Sequence, residues 1–258
     1  MKNILALILF LFPFCLCAQK TDLWVGDSQL QPTGPDFAQA CFVRYSAVKY
    51  GRNFARFYQS GRTVQALDNN YPSTNSIEYA GEHNGLTTLS IQGDAWYAYV
   101  PQFNKVFVEA IVNDALSKTN AQNPVSVFKA KYKVVIIEKL LSLGWAKKDI
   151  KLINCPPVDA SVSAYVKASP ERIGALNVAL SELGTEYGIQ VIDINTPMNA
   201  INNFFADYTV DGLHGNALWH QLVADQIDLQ ITASESQGIS SGLPRGKRFV
   251  IAPPLVTQ

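Results

Sequence analysis

The chain reads as an α/β domain, a parallel sheet with helices on both faces. Apolar bursts of strand length alternate with segments of helical period from Thr21 to Ile231. No repeat, low-complexity block or Pro/Ser-rich linker divides the 258 residues, a length that single α/β domains reach. Local punctuation agrees with the alternation: Ser169-Pro170 offers a cap followed by proline at the first helical position, and Gly188 stops the helix they begin. In chain order the pattern predicts a strand at Thr21 to Val25, a helix around Phe37 to Tyr50, and strands at Phe54 to Tyr58 and Lys105 to Ile111. A long helix follows from about Val125 to Gly144, then a strand at Ile150 to Asn154, a helix from Pro170 to Tyr187, a strand at Gln190 to Ile194 and a last helix from Ala217 to Ile231.

Two stretches fit the pattern less well. Asp68 to Gly93, rich in Asn, Ser, Thr, Gly and Tyr, is too long for an ordinary connection and is read either as a functional loop or as containing further structure without a sequence signature. Ser234 to Gln258 is expected to be a tail packed on the domain at its apolar end, Phe249 to Val256. Its Arg245-Gly246-Lys247-Arg248 is read as a solvated turn.

The beginning of the chain is expected to be a leader of 18 residues. Met1-Lys2-Asn3 is a short basic lead, Ile4 to Cys17 is almost continuously apolar, and Ala18 supplies a small residue for cleavage. The stretch is shorter than the ~20 apolar residues that span a bilayer, and no later segment is long and apolar enough. The expectation is a secreted or periplasmic protein without membrane insertion, whose domain covers residues 19–233. Without the leader, Cys41 and Cys155 remain, too few for a disulfide framework, and both are expected to be buried thiols. Losing Lys2 from a balance of 21 basic and 21 acidic residues leaves a net charge of −1. No basic stripe suits nucleic acid or an anionic surface, so the expected partner is a neutral or weakly charged small molecule.

The chemistry concentrates at two points. Gly26-Asp27-Ser28 closes the first strand, and Asp211-Gly212-Leu213-His214 lies far downstream. A serine hydroxyl becomes an effective nucleophile when an imidazole takes its proton, and the imidazole in turn needs a carboxylate to fix its tautomer. Asp211, three residues before His214, can serve from one turn. Gly26 is expected to permit a sharp turn that leaves Ser28 exposed at the strand's carboxyl end, the edge where parallel sheets build sites. Gly61 follows the Phe54 to Tyr58 strand, where a glycine lets a backbone N–H approach a substrate. Asn113, after the Lys105 to Ile111 strand, can offer an amide to an oxygen that turns negative in a transition state.

The order Gly-Asp-Ser, glycine, Asn-Asp, Asp-x-x-His resembles the four blocks of the SGNH (GDSL-type) hydrolases from about Thr21 to Ile231. The resemblance implies a three-layer α/β/α sandwich with a flavodoxin-like parallel sheet and a serine esterase activity. It also implies Ser28 as nucleophile and backbone oxyanion donor, Gly61 and Asn113 as further oxyanion donors, His214 as base and Asp211 as its partner. Gly85, in Asn84-Gly85-Leu86, is the rival to Gly61. One departure stands out: Ile111 occupies the position of the family's glycine in Gly-x-Asn-Asp, which is expected to narrow the pocket or shift Asn113.

Rival constellations are weaker. Gly238-Ile239-Ser240-Ser241-Gly242 matches the nucleophile-elbow pattern, but no histidine follows it. His220 is read as a satisfied imidazole on the last helix and His83 as a loop residue; with three histidines and no H-E-x-x-H, no metal is expected, and the serine chemistry needs no cofactor. The expected function is hydrolysis of carboxylic esters with short acyl groups, such as acetyl groups on extracellular saccharides against which Trp96, Tyr97 and Tyr99 would pack. An O-acyltransferase using the same residues and a binding protein on a degenerate hydrolase scaffold are the alternatives.

Overall fold

A computed structural model describes residues 21–30, 42–50, 53–58, 103–109, 111–117 and 124–240. Five strands form one parallel sheet in the order β2-β1-β3-β4-β5: β1 Thr21–Gly26, β2 Asn53–Tyr58, β3 Phe103–Glu109, β4 Ile150–Ile153 and β5 Gln190–Ile192. The order reverses between β1 and β3, and open α/β sheets bind ligands at such a reversal. Registers align the strands' carboxyl ends: Gly26 pairs with Tyr58 and Glu109, Glu109 with Ile153, and Ile153 with Ile192.

Both faces of the sheet are apolar, as buried parallel strands require. Leu23, Val25, Val106, Val108, Ile150 and Leu152 point to one side. There they meet α2 (Val112–Ser117), α3 (residues 125–142) and α4 (Pro170–Tyr187). Helix α3 is continuous through Val125–Tyr132, a π-helical Lys133–Glu138 and Lys139–Ser142. Trp24, Phe54, Phe107, Ile153 and Ile192 point to the other side, against α1 (Phe42–Tyr50), α5 (Asn195–Asn199), α6 (Phe204–Tyr208) and α7 (Ala217–Ser240). The Trp24 and Phe107 rings stack with centroids 4.0 Å apart, and Phe42 meets Trp24 and Trp219 edge-on. The result is the three-layer α/β/α sandwich with a flavodoxin-like sheet.

Several boundaries differ from the sequence reading. β3 ends at Glu109, and Ile111 precedes α2, so Asn113 stands in the first turn of a short helix instead of directly after a strand. β4 and β5 stop one and two residues early. Beyond them the Asn154 side chain accepts the N–H groups of Ile194 and Asn195 and donates to Asp193. Helix α7 runs nine residues past Ile231 into the expected tail; the first proline after it is Pro244. Ser240 of the rejected elbow pattern ends this helix. Cys155 is a buried free thiol and His220 is buried against Phe42 and Trp219. Gly61, His83, Gly85, Cys41, the Trp96-to-Tyr99 aromatics, the leader and residues 68–93 lie outside the described residues.

The glycine of Gly-Asp-Ser has a different reason from the one the sequence suggests. Among the described glycines, positive φ occurs at Gly144, Gly188 and Gly212, not at Gly26. A Cβ on Gly26 would instead lie 2.2 Å from the Glu109 carbonyl oxygen, so the residue lets β1 and β3 approach at the sheet centre. Gly26→Ala is expected to cost about 3 kcal/mol, because the clash is with backbone that cannot rotate away. Urea unfolding should show a lower midpoint.

Candidate active site

Ser28 opens a 3-10 turn, Ser28–Leu30, at the carboxyl end of β1. The turn is fixed by Asp27, whose Oδ1 accepts the Gln29 N–H at 3.0 Å, and by a Leu30 N–H to Asp27 carbonyl bond of 3.2 Å. Ser28 is not the exposed residue that the sequence suggests: within this 3-10 turn it is buried, only 5 % exposed.

The other half of the site is the 209–216 loop. Thr209 and Gly215 form an antiparallel bridge, and Val210 N–H donates to the His214 carbonyl at 2.8 Å. Thr209 Oγ1 accepts from Gly212 N–H, and Gly212, at φ 85°, turns the chain in a conformation side chains disfavour. A Cβ at Gly215 would fall 2.2 Å from the Trp219 ring, which explains the second glycine of Asp-Gly-Leu-His-Gly-Asn. Asn216 Oδ1 then accepts from Leu218 and Trp219 N–H and starts α7. Gln29 Nε2 donates to the Leu213 carbonyl at 3.3 Å, tying this loop to the serine turn.

These two segments bring Ser28, His214 and Asp211 into one line. His214 Nε2 lies 3.1 Å from Ser28 Oγ, and His214 Nδ1 lies 2.7 Å from Asp211 Oδ2. Asp211 Oδ1 accepts the backbone N–H groups of His214 at 2.7 Å and Leu213 at 2.9 Å. Burial alone would raise the Asp211 carboxyl, but the hydrogen bonds from His214 and Leu213 outweigh it and hold the group below its ordinary range. An ionised Asp211 only accepts, so Nδ1 carries the ring proton and Nε2 is free to accept the Ser28 O–H. That arrangement can withdraw a proton from the serine oxygen as it attacks a carbonyl carbon.

Asn113 also arrives. Its Nδ2 donates one hydrogen to Asp27 Oδ2 at 2.9 Å, which fixes the orientation of the amide. Ile111, in place of glycine, points into the core and is fully buried, so it neither fills the cleft nor breaks the Asn113–Asp27 bond. Burial pushes the Asp27 carboxyl up to about 7, eased by the Gln29 N–H and by the Glu109 and Asn113 side chains. Glu109 is driven well above its ordinary value by burial and by the neighbouring Asp27 charge. Acids raised on folding weaken the fold as pH climbs from their ordinary range to their folded value, since the folded state keeps protons the unfolded chain has lost.

Three neighbours carry no sequence signal of their role. Asp27 lies inside the Gly-Asp-Ser block, yet its bond to Asn113 joins positions 86 residues apart. Tyr165 donates its O–H to Asp211 Oδ2 at 3.1 Å, and Glu109 is legible only as part of a strand. A groove of about 680 Å³ beside α4 and β5 is lined by none of Ser28, Asn113, Asp211 and His214. Among the described residues no group of His, Cys, Asp and Glu could hold a metal ion. Nor is any described helix long and apolar enough to cross a membrane.

A sheet of this order with these blocks at its carboxyl edge defines a GDSL/SGNH-type α/β hydrolase fold. A family model for GDSL-like lipase/acylhydrolase matches residues 25–227, and the chain belongs to that family. Solved structures share the fold at low identity. A lipase/acylhydrolase from Enterococcus faecalis superposes with a TM-score of 0.56 at 18 % identity, covering 83 % of this chain and 96 % of that one. A GDSL-like lipase from Bacteroides thetaiotaomicron gives 0.55 at 14 %, covering 85 % and 91 %. A mutant of an acetyl-xylooligosaccharide esterase from Geobacillus gives 0.53 at 13 %, covering 82 % and 94 %. No curated protein matches the chain.

Proposed function

We propose that this member of an ester-hydrolysing family is a secreted serine esterase that removes short acyl groups, acetyl above all, from extracellular saccharides. The observation that carries the catalytic part is His214 lying between Ser28 Oγ and Asp211 at 3.1 and 2.7 Å. His214 takes the Ser28 proton as the oxygen attacks the acyl carbon. The Ser28 N–H and the Asn113 amide stabilise the oxyanion, together with the N–H of Gly61 or of its rival Gly85. The intermediate collapses to an acyl-serine as His214 protonates the departing alcohol. Water, deprotonated by His214, then attacks the acyl-enzyme, and Ser28 leaves with the proton returned.

The substrate class rests on the leader-like first 18 residues, the net charge of −1 after its removal and the Trp96, Tyr97, Tyr99 cluster. The same fold carries acetyl-saccharide chemistry in the Geobacillus neighbour. Acetate release from acetylated polysaccharides, set beside hydrolysis of chromogenic esters of increasing chain length, tests the reading. It predicts activity on acetylated saccharide and a fall in kcat/KM beyond short acyl chains. A preference for long-chain lipid esters would reject it.

Asn113→Ala is expected to lower kcat by about 10²–10³-fold with little change in KM, since the lost donor acts on charge present only in the transition state. Steady-state kinetics on a chromogenic acetate ester provide the check.

A further inference from the structure

Behind Ser28 and Asn113 the two central strands end in a pair of buried acids. Asp27 follows Gly26, which pairs in register with Glu109 on β3, and both carboxyl groups are enclosed. Their partners differ. Asp27 is surrounded by donors: the Gln29 N–H reaches one oxygen at 3.0 Å and Asn113 Nδ2 the other at 2.9 Å. It is built to be an anion. Neither oxygen of Glu109 accepts a well-formed hydrogen bond from a described donor, and the backbone N–H of Asp27 is the weakest influence on it. Its Oε2 lies 3.0 Å from where a Cβ on Gly26 would stand, which sets the carboxyl beside Asp27, the next residue, and the two side chains interact.

A buried carboxylate without donors is expensive, and two facing carboxylates are more so. Protonating one of them removes both costs, because the acid becomes the donor its neighbour can accept. The surroundings favour this assignment. Tyr132 of α3, Cys155 after β4 and Asp114 of α2 offer no cation, and the guanidinium of Arg172 on α4 is directed to the Asp114 carbonyl at 3.2 Å. Among the described residues, His214 is the remaining titratable group that acts on Asp27.

We propose that Glu109 is a positioning residue that works as a neutral acid: its O–H donates to the Asp27 carboxylate, so that Asp27 stays charged in the interior and holds the Asn113 amide aimed at the oxyanion. The chain of contact runs from Glu109 through Asp27 to Asn113, and Glu109 itself touches no reacting atom. Asp27 accepts one Asn113 hydrogen and thereby fixes the orientation of the amide. Loss of the Glu109 donor leaves Asp27 desolvated, and it then keeps its own proton to higher pH and grips Asn113 less firmly.

The kinetic part of this inference rests on the esterase reading; the protonation part does not. Glu109→Leu keeps the bulk and removes the donor, while Glu109→Gln keeps a donor that cannot ionise. At pH 8, E109L is expected to lower kcat about 10- to 100-fold with KM within about threefold, a partial loss of one oxyanion donor. The acidic side of its kcat profile should move to higher pH. E109Q should restore most of the kcat and the original profile. The infrared spectrum of the wild type at pH 8 should contain the C=O stretch of a protonated, buried carboxyl that disappears in E109Q. Wild-type kcat and profile in E109L, an E109Q as impaired as E109L, or no protonated carboxyl at pH 8 would each overturn the proposal. If E109L does not fold, E109Q and the infrared spectrum decide. A wild type that hydrolyses no ester would defeat the esterase reading alone, since the infrared arm still reports the proton.

Discussion

Ser28→Ala is expected to lower kcat by roughly 10⁶-fold, to the level that a binding cleft and its oxyanion donors sustain without a nucleophile. The hydroxyl removed is the one 3.1 Å from His214 Nε2, and the 3-10 turn that holds it depends on Asp27 and backbone groups, not on the hydroxyl. The fold should therefore survive. An alanine at 28 retains the backbone N–H, so substrate still binds and KM should change little. Residual turnover should show no burst of acyl-enzyme, because water must attack directly. Pre-steady-state kinetics on a chromogenic ester separate this outcome from a protein that merely unfolds. Near-normal turnover in the variant would mean that another group attacks.

Asp211→Asn is expected to cost about 10⁴ in kcat while leaving the site's outline intact. The asparagine oxygen can replace Oδ1 as acceptor for the Leu213 and His214 N–H groups, so the 209–216 loop keeps its shape. The amide nitrogen then faces His214 Nδ1 where a carboxylate oxygen stood at 2.7 Å. A donor there drives the ring proton to Nε2, and Nε2–H cannot accept the proton of Ser28. The positive ring that forms during attack also loses the adjacent anion. Tyr165, whose O–H donates to the same Oδ2, cannot substitute, because it supplies a donor and no charge. Kinetics together with a thermal midpoint close to that of the wild type distinguish the tautomer effect from loss of structure.

Where the sequence spoke through local chemistry, it could be read closely. Helix α4 spans Pro170–Tyr187 as expected because Ser169 caps it, accepting the Arg172 N–H, and Gly188 ends it at φ 65°. β1 and β2 match to within a residue, since each is a compact apolar burst. The sequence pattern puts β3 two residues late because Ile111 and Val112 prolong the apolar run, although they enter the core from the start of a helix. Periodicity does not separate those cases. Helices α5 and α6 are five residues each and show too few turns for a pattern. The sequence pattern ends α7 too soon because Ser, Gly and Gln after Ile231 look like a tail, though no proline interrupts before Ser240.

The site divides in the same way. Ser28, Asp211 and His214 were legible because each sits in a short block whose residue types announce the chemistry, and the fold closes a gap of 186 positions between serine and imidazole. Asn113 was legible for the same reason. Glu109 was not: its meaning comes from the register that sets it against Gly26 and Asp27, and a strand glutamate carries no mark of that. The reason for Gly26 was likewise hidden, since a close approach between strands looks in sequence like any turn glycine.

In the proposed mechanism Ser28 is activated by His214 across the carboxyl edge of the sheet. Labelling the folded protein with a fluorophosphonate and mapping the adduct by mass spectrometry tests it most directly. One phosphonyl group per chain on Ser28 is the predicted result. An adduct on another residue, or none on a protein that hydrolyses esters, would contradict it.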